Sequence, residues 1–248
     1  MTTISRRDHH DPDAHPDSKG AHSPFLEHHF ENIAQQNESN LVLMWTFLAT
    51  EVMFFGALFL AYTVYRSSNP GVFRAAHHSL DVWAGTLNTF ILLTSSLFMA
   101  LGVRAAQLQN RRAETLWIAA TILLAFGFLC VKGYEYHHKW VEHLVPGPTF
   151  QFQQEGAAVP GTPNNLRTGG PDFTDRVQMF FVLYFIMTGL HGIHVIVGIL
   201  VMAALIYVRW RRKNEEQHFM PIEMTGLYWH FVDLVWIFLY PLFYLIPR

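Results

Sequence analysis

The sequence predicts an all-α membrane protein: a bundle of five transmembrane helices, amino terminus in the cytoplasm and carboxyl terminus in the periplasm. Three observations predict it. Of its 248 residues, 51% are hydrophobic and only 15% charged, against about a quarter charged in soluble domains. The apolar residues are gathered into five segments, each long enough for the ~20 residues that cross a hydrocarbon core. Lysine and arginine are distributed unevenly about the ends of those segments, as the positive-inside rule requires.

Taken in order, residues 1–40 form a polar, His-rich cytoplasmic tail, partly disordered, ahead of a five-helix domain at 41–248. Residues 1–24 combine His, Asp and Pro with few apolar residues, which favours disorder. His9, His10, His15 and His22 read better as solvated residues than as a metal site. Residues 25–40, PFLEHHFENIAQQNES, mix apolar and charged positions and are expected to lie on the membrane surface. The tail has no signal-type apolar core, and its aspartates argue against an organelle transit peptide. A bacterial cytoplasmic membrane is the expected location.

The spans fall at about 41–65, 82–103, 116–138, 177–208 and 224–246. Backbone in lipid must satisfy its own hydrogen bonds, so each should be helical. The fourth is longer than a crossing needs and should tilt or project into water. Ten basic residues lie in the tail, the 2–3 connection and the 4–5 connection, where Arg209, Arg211, Arg212 and Lys213 cluster. That places these three segments in the cytoplasm. Residues 139–176 form a long outer loop, whose prolines and glycines rule out long regular elements. Cys130 is the only cysteine, which excludes an internal disulfide and a cysteine metal site. Nothing resembles a nucleic-acid surface.

Polar residues inside the spans are informative, because a charge near the bilayer centre costs at least ~2.5–3.5 kcal/mol. The first span carries Glu51, near mid-bilayer, which must be protonated, paired or turned inward. A proton-relay or lipid-contact carboxyl and a hydrogen-bonded neutral acid both fit. The second carries only Thr86, Asn88, Thr89, Thr94, Ser95 and Ser96. The third carries Lys132 and Glu135 near the outer surface, where lysine can snorkel. The fourth carries His191 and His194, three apart on one helix face, beside Gly189 and Gly192, which permit close helix approach. The fifth carries His230 and Asp233, three apart, able to bond and compensate each other or jointly to meet a partner. Glu135-Tyr-His-His138 holds one Glu-x-x-His, whereas a di-iron bundle needs two and further glutamates. The histidines therefore read as hydrogen-bonded structural residues, and no metal is expected. No nucleophile–base pair, phosphate loop or quinone motif is evident. The arginines at 209, 211 and 212 suit lipid phosphates through guanidinium–phosphate geometry.

Five blocks carry a resemblance: TEVMFFGALFLAY (50–62), LNTFILLTSS (87–96), GYEYHHKW (133–140), TGLHGIHVIVG (188–198) and GLYWHFVDLVWIFLY (226–240). In this order, on these spans, the chain resembles subunit III of the haem–copper cytochrome c oxidases, and its wording is most similar to bacterial aa3- or caa3-type forms. The resemblance implies a non-redox core subunit that packs on subunit I, assembles with subunit II and other oxidase subunits, and enters respiratory supercomplexes. It implies bound phospholipid and support of proton uptake and sustained turnover as electrons pass from cytochrome c to O2. Haem and copper would reside in partner subunits. Glu51 falls on the family's intramembrane glutamate, and Glu135, His191, His194, His230 and Asp233 on its recurring polar positions. Longer members have seven helices, so the two absent here are expected from an extended subunit I. The rival readings are an accessory subunit of a nitric oxide reductase, a stand-alone proton or ion channel, and a haem- or metal-binding enzyme.

Overall fold

A computed structural model describes residues 33–77, 79–147, 150, 171–211 and 220–245, and among these there are helices and no strand. The helices are α1 (Ile33–Ser68), α2 (Pro70–His77), α3 (Val82–Gln107), α4 (Arg111–Val141), α5 (Pro171–Arg211) and α6 (Met220–Tyr244). All but α2 are long and apolar enough to cross a membrane, and each covers nearly all of a predicted span.

The differences lie at the ends. α1 covers Ile33–Ser68, so residues 33–40 of the segment expected on the membrane surface are helical; residues 25–32 and the tail histidines lie outside the described residues. α3 starts where Asp81 accepts hydrogen bonds from the Trp83 and Ala84 amides at 2.9 and 3.3 Å. α4 starts where Asn110 accepts one from Ala113. Such caps satisfy donors that a helix start leaves open. α4 continues to Val141 and α5 begins at Pro171, so both ends of the expected 139–176 loop are helical; 148–149 and 151–170 lie outside the described residues.

α2 has no counterpart among the predicted elements, because eight residues of mixed polarity do not register as a span. Proline opens it, as suits a first helical position. Its Gly71, Val72, Phe73, Ala75, Ala76 and His77 are buried. Phe73 meets Phe180 of α5 edge-on at 5.0 Å, and His77 Nδ1 lies 3.1 Å from the Phe243 carbonyl of α6.

α3 and α4 pack as an antiparallel hairpin, with α6 against α3 and α5 against both α4 and α6. Where α6 meets its neighbours, the bulk of its aromatics demands glycine opposite. A Cβ on Gly198 would stand 2.7 Å from Trp229 Cζ3, and one on Gly85 would stand 2.7 Å from Tyr244 Cδ1. From Leu43 onward, α1 joins the bundle through aromatic rings rather than close backbone approach: Phe55 against His194 and Phe231, Tyr62 against Phe243. The Tyr62 hydroxyl also donates to the Leu242 carbonyl.

Candidate functional site: two acid–base centres and a hydroxyl ladder

The third span's lysine does not snorkel. Lys132 is buried, and its Nζ donates to Glu135 Oε2 at 3.0 Å, Tyr244 Oη at 2.7 Å and Tyr184 Oη at 3.3 Å. Glu135 Oε1 accepts from Tyr184 at 2.7 Å and Tyr244 at 2.5 Å. The ammonium also sits 4.9 Å from the Trp236 ring centre and 5.3 and 5.2 Å from those of Tyr184 and Tyr244. A desolvated ion pair is favourable only when its remaining protons and lone pairs are met, and aromatic faces add attraction for the cation. Here α4 supplies both charges, while α5 and α6 supply the hydroxyls and rings. The centre ties three helices together.

Glu51 of α1 meets its partner on α5. Its Oε2 lies 3.2 Å from His194 Nε2, and His194 Nδ1 donates to the Leu190 carbonyl at 2.8 Å. A carbonyl only accepts, so Nδ1 carries a hydrogen and the state of Nε2 decides the pair. With a neutral imidazole, Nε2 accepts and Glu51 must be the protonated donor. With an imidazolium, Nε2 donates to a carboxylate. Both states hold the same number of protons and no net charge, which suits an apolar medium. The side chains stay 20% and 18% exposed, so this pair opens to the bundle surface.

His191 does not share that arrangement, although its spacing from His194 predicts one common face. It is fully buried between Phe128, edge-on at 5.5 Å, and Trp236 at 5.1 Å. Neither ring nitrogen has a hydrogen bond among the described residues. The expectation of hydrogen-bonded histidines therefore holds for His194 and fails for His191, because positions three apart differ by ~60° around a helix, enough to turn His194 toward α1 and His191 toward α4 and α6.

Of the two expectations for His230 and Asp233, a mutual bond is absent among the described residues, and the common partner is Ser96, which faces both. His230 Nδ1 pairs with Ser96 Oγ of α3 at 2.7 Å. Asp233 is buried and neither carboxyl oxygen has a well-formed hydrogen bond among the described residues, although the Ser96 hydroxyl faces the same carboxyl. Ser96 belongs to a ladder along the α3–α6 seam. Thr86 meets Tyr240 Oη at 2.7 Å, Thr89 accepts from Trp236 Nε1 at 3.1 Å, and Ser95 accepts from Trp229 Nε1 at 3.0 Å. Over these three pairs the α6 number falls as the α3 number rises, the register of antiparallel neighbours. The sequence displays these hydroxyls without pairing them, since each partner lies more than 130 residues away.

Arg209 makes a two-pronged ion pair with buried Glu114, Nε to Oε1 at 3.0 Å and Nη2 to Oε2 at 3.2 Å. Arg211 lies over the Tyr207 ring at 5.4 Å; Arg212 is outside the described residues. Beside Arg209, a groove of about 580 Å³ runs between the start of α4 and the end of α5, with Arg111 and Arg112 at its rim and Leu116, Ala119 and Ile206 along it. Glu114, Tyr184 and Tyr244 carry no signature in the sequence, because their roles exist only across helices. Among the described residues no three His, Cys, Asp or Glu side chains gather as a metal-holding group.

The cytochrome c oxidase subunit III family model matches residues 171–247. A protein named cytochrome c oxidase subunit 3 from Corynebacterium diphtheriae is 32% identical over 225 residues, covering 87% of this chain and 93% of that one. A heme-copper oxidase subunit I+III from Aeropyrum pernix is 28% identical over 209 residues, 82% of this chain and 22% of that one. A quinol oxidase subunit 3 from Bacillus subtilis is 26% identical over 206 residues, 83% of this chain and 86% of that one. With a relative above 30% identity matched over nearly its full length, this chain belongs to the cytochrome c oxidase subunit III family and is a membrane-spanning component of an oxidoreductase complex, associated with other oxidase subunits.

Proposed function

We propose that the chain is the non-redox core subunit III of an aa3- or caa3-type oxidase in a bacterial cytoplasmic membrane. It packs on subunit I, amino terminus and residues 1–40 on the cytoplasmic side, and supports proton uptake and sustained turnover while electrons pass from cytochrome c to O2. The observation that carries this is the Glu51–His194 pair. Its Oε2–Nε2 contact lies within the membrane-spanning part of the bundle, one proton could bridge it without net charge, and it opens to the bundle surface. A group that only locked helices together would gain from closure, as Lys132–Glu135 does. Association with subunit I draws support from the Aeropyrum relative, whose name joins subunits I and III.

Glu51→Gln in the purified oxidase is the test. The amide keeps a donor for His194 Nε2 but cannot pass on a proton. The expected result is normal assembly with lower proton stoichiometry and faster inactivation during turnover; wild-type values in both sink the role. The proposed function also includes phospholipid binding, through Arg209, Arg211 and Arg212 joined by Arg111 and Arg112 at the α4–α5 groove. Guanidinium groups suit phosphate, and the apolar groove floor suits an acyl chain. Neutralising Arg111 and Arg112 together should lower co-purifying phospholipid, measured by mass spectrometry of the intact complex. Equal lipid content removes that part.

A further inference from the structure

In a packed core, buried polar groups are met by protein or by ordered water. Three buried side chains here carry polar atoms with no well-formed hydrogen bond among the described residues: Asn88 of α3, His191 of α5 and Asp233 of α6. Asp233 has the Ser96 hydroxyl facing its carboxyl. Asn88 and His191 are fully buried, and they reach one layer of the bundle from opposite sides. α3 packs on α4 and α6, and α5 packs on the same two helices. His191 lies between Phe128 of α4 and Trp236 of α6, whose rings also meet each other at 4.9 Å. The hydrogen bond from Trp236 Nε1 to Thr89 sets residues 88 and 89 of α3 at the depth of Trp236. Asn88 itself belongs to the buried stripe Gly85, Asn88, Leu92, Ser95, Met99 and Gly102, spaced by three and four. On that stripe Gly85 faces Tyr244 of α6 and Gly102 faces Ile118 of α4, so Asn88 turns inward between the same helices. The layer therefore takes one residue from each of four helices, two aromatic and two polar.

We propose that this layer binds a buried water that bridges the Asn88 carboxamide and the His191 imidazole. The carboxamide brings two N–H donors and a carbonyl, and a neutral imidazole brings one donor and one lone pair. Neither aromatic ring meets these needs, since the Trp236 N–H is committed to Thr89 and Phe128 has no polar atom. Water donates and accepts at once, which suits either tautomer of His191 and either orientation of the amide. Buried waters typically link about three such groups. A metal cation fits less well. Lys132 Nζ already stands 4.9 Å from the centre of the same Trp236 ring, and the layer has no carboxylate to offset a further charge. The water joins α3 to α5 across the layer and supplies His191 with the hydrogen bond that its ring neighbours do not.

The test is cryo-electron microscopy of the intact complex at a resolution that shows ordered water, with Asn88→Leu and His191→Leu beside wild type. Wild type should show one peak within hydrogen-bonding distance of both side chains. Each variant should lose it while Trp236 keeps its contact with Thr89. The proposal is overturned by no peak where other internal waters are resolved, by a direct Asn88–His191 hydrogen bond, or by separate peaks on each side chain. Unfolding of the complex gives a second reading that needs no density. Each single variant leaves the other polar group unmatched, whereas the double variant leaves neither. The shift in unfolding temperature of the double variant should therefore be about half the summed single shifts or less. Shifts that simply add overturn the shared site. If a variant fails to assemble, the wild-type density decides alone.

Discussion

The two acid–base pairs of this bundle solve the same problem in opposite ways. Lys132 and Glu135 sit one turn apart on α4, are nearly sealed from the exterior, and share two tyrosine hydroxyls and a cage of rings. Glu51 and His194 come from α1 and α5, meet through one 3.2 Å contact, and remain partly open. In the first pair every proton and most lone pairs are committed, so changing the charge state breaks several bonds at once. The second can move a proton between its members and keep its contact. Number of committed partners, more than identity of the acid, separates a structural carboxylate from one free to exchange protons.

The largest effect should come from unbalancing the sealed pair. Glu135→Leu leaves the Lys132 ammonium in its cage with its counter-charge gone, and breaking a buried pair costs ~3–5 kcal/mol. The variant should fail to accumulate or should unfold at far lower denaturant than wild type. Lys132→Met combined with Glu135→Leu should recover much of that loss, because no charge is left buried. If the double variant is no better than the single one, the pair contributes more than mutual neutralisation, and sealing alone does not distinguish it from Glu51–His194.

A second cut tests whether packing rather than polar bonding sets the frame on which both centres rest. Gly198→Ala puts a methyl 2.7 Å from Trp229, whose indole donates to Ser95. Overpacking of this kind costs about 1–3 kcal/mol. Thermal unfolding of the complex should show the loss; stability equal to wild type would mean that Trp229 moves freely and that α5 and α6 are loosely fitted.

Much of this architecture is legible in the chain, for reasons that show where legibility stops. The spans follow from local runs of apolar residues, and Glu51, Glu135, His194 and His230 stand out because charge and imidazole are rare in such runs. Their partners do not stand out. A threonine or serine in a span satisfies itself on the preceding turn, as Thr94 does, so nothing local marks Ser96 or Thr89 as different. Tyr184 and Tyr244 look like ordinary membrane aromatics until α5 and α6 bring them to Lys132. Lys132 defies the snorkelling expectation because that expectation rests on depth, whereas burial depends on which neighbours surround the side chain. For His230 and Asp233, sequence proximity suggests a pair, while the antiparallel seam offers His230 a better-placed hydroxyl.

The open pair should respond to substitution in function more than in stability. Glu51→Gln keeps one hydrogen bond with His194, and single hydrogen bonds between membrane helices average only about 0.6 kcal/mol. Unfolding of the variant complex should therefore lie close to wild type even as turnover decays faster. A stability loss as large as that of Glu135→Leu would place both pairs in the same structural class.

The smallest expected effect probes the hydroxyl ladder that joins α3 to α6. Thr89→Val removes the hydroxyl that accepts from Trp236 Nε1 and keeps the side-chain shape. By the same average the cost is about 0.6 kcal/mol, raised by leaving a buried indole N–H without a partner. Trp236 is also the ring facing Lys132 at 4.9 Å and packed on His191. If Thr89 orients that ring, its loss should pass to the sealed pair, and adding Lys132→Met to Thr89→Val should cost less than the sum of the two single changes. If the two costs simply add, Trp236 is held by Phe128 and His191 alone. In that case the ladder fixes helix register without tuning the centre beneath it.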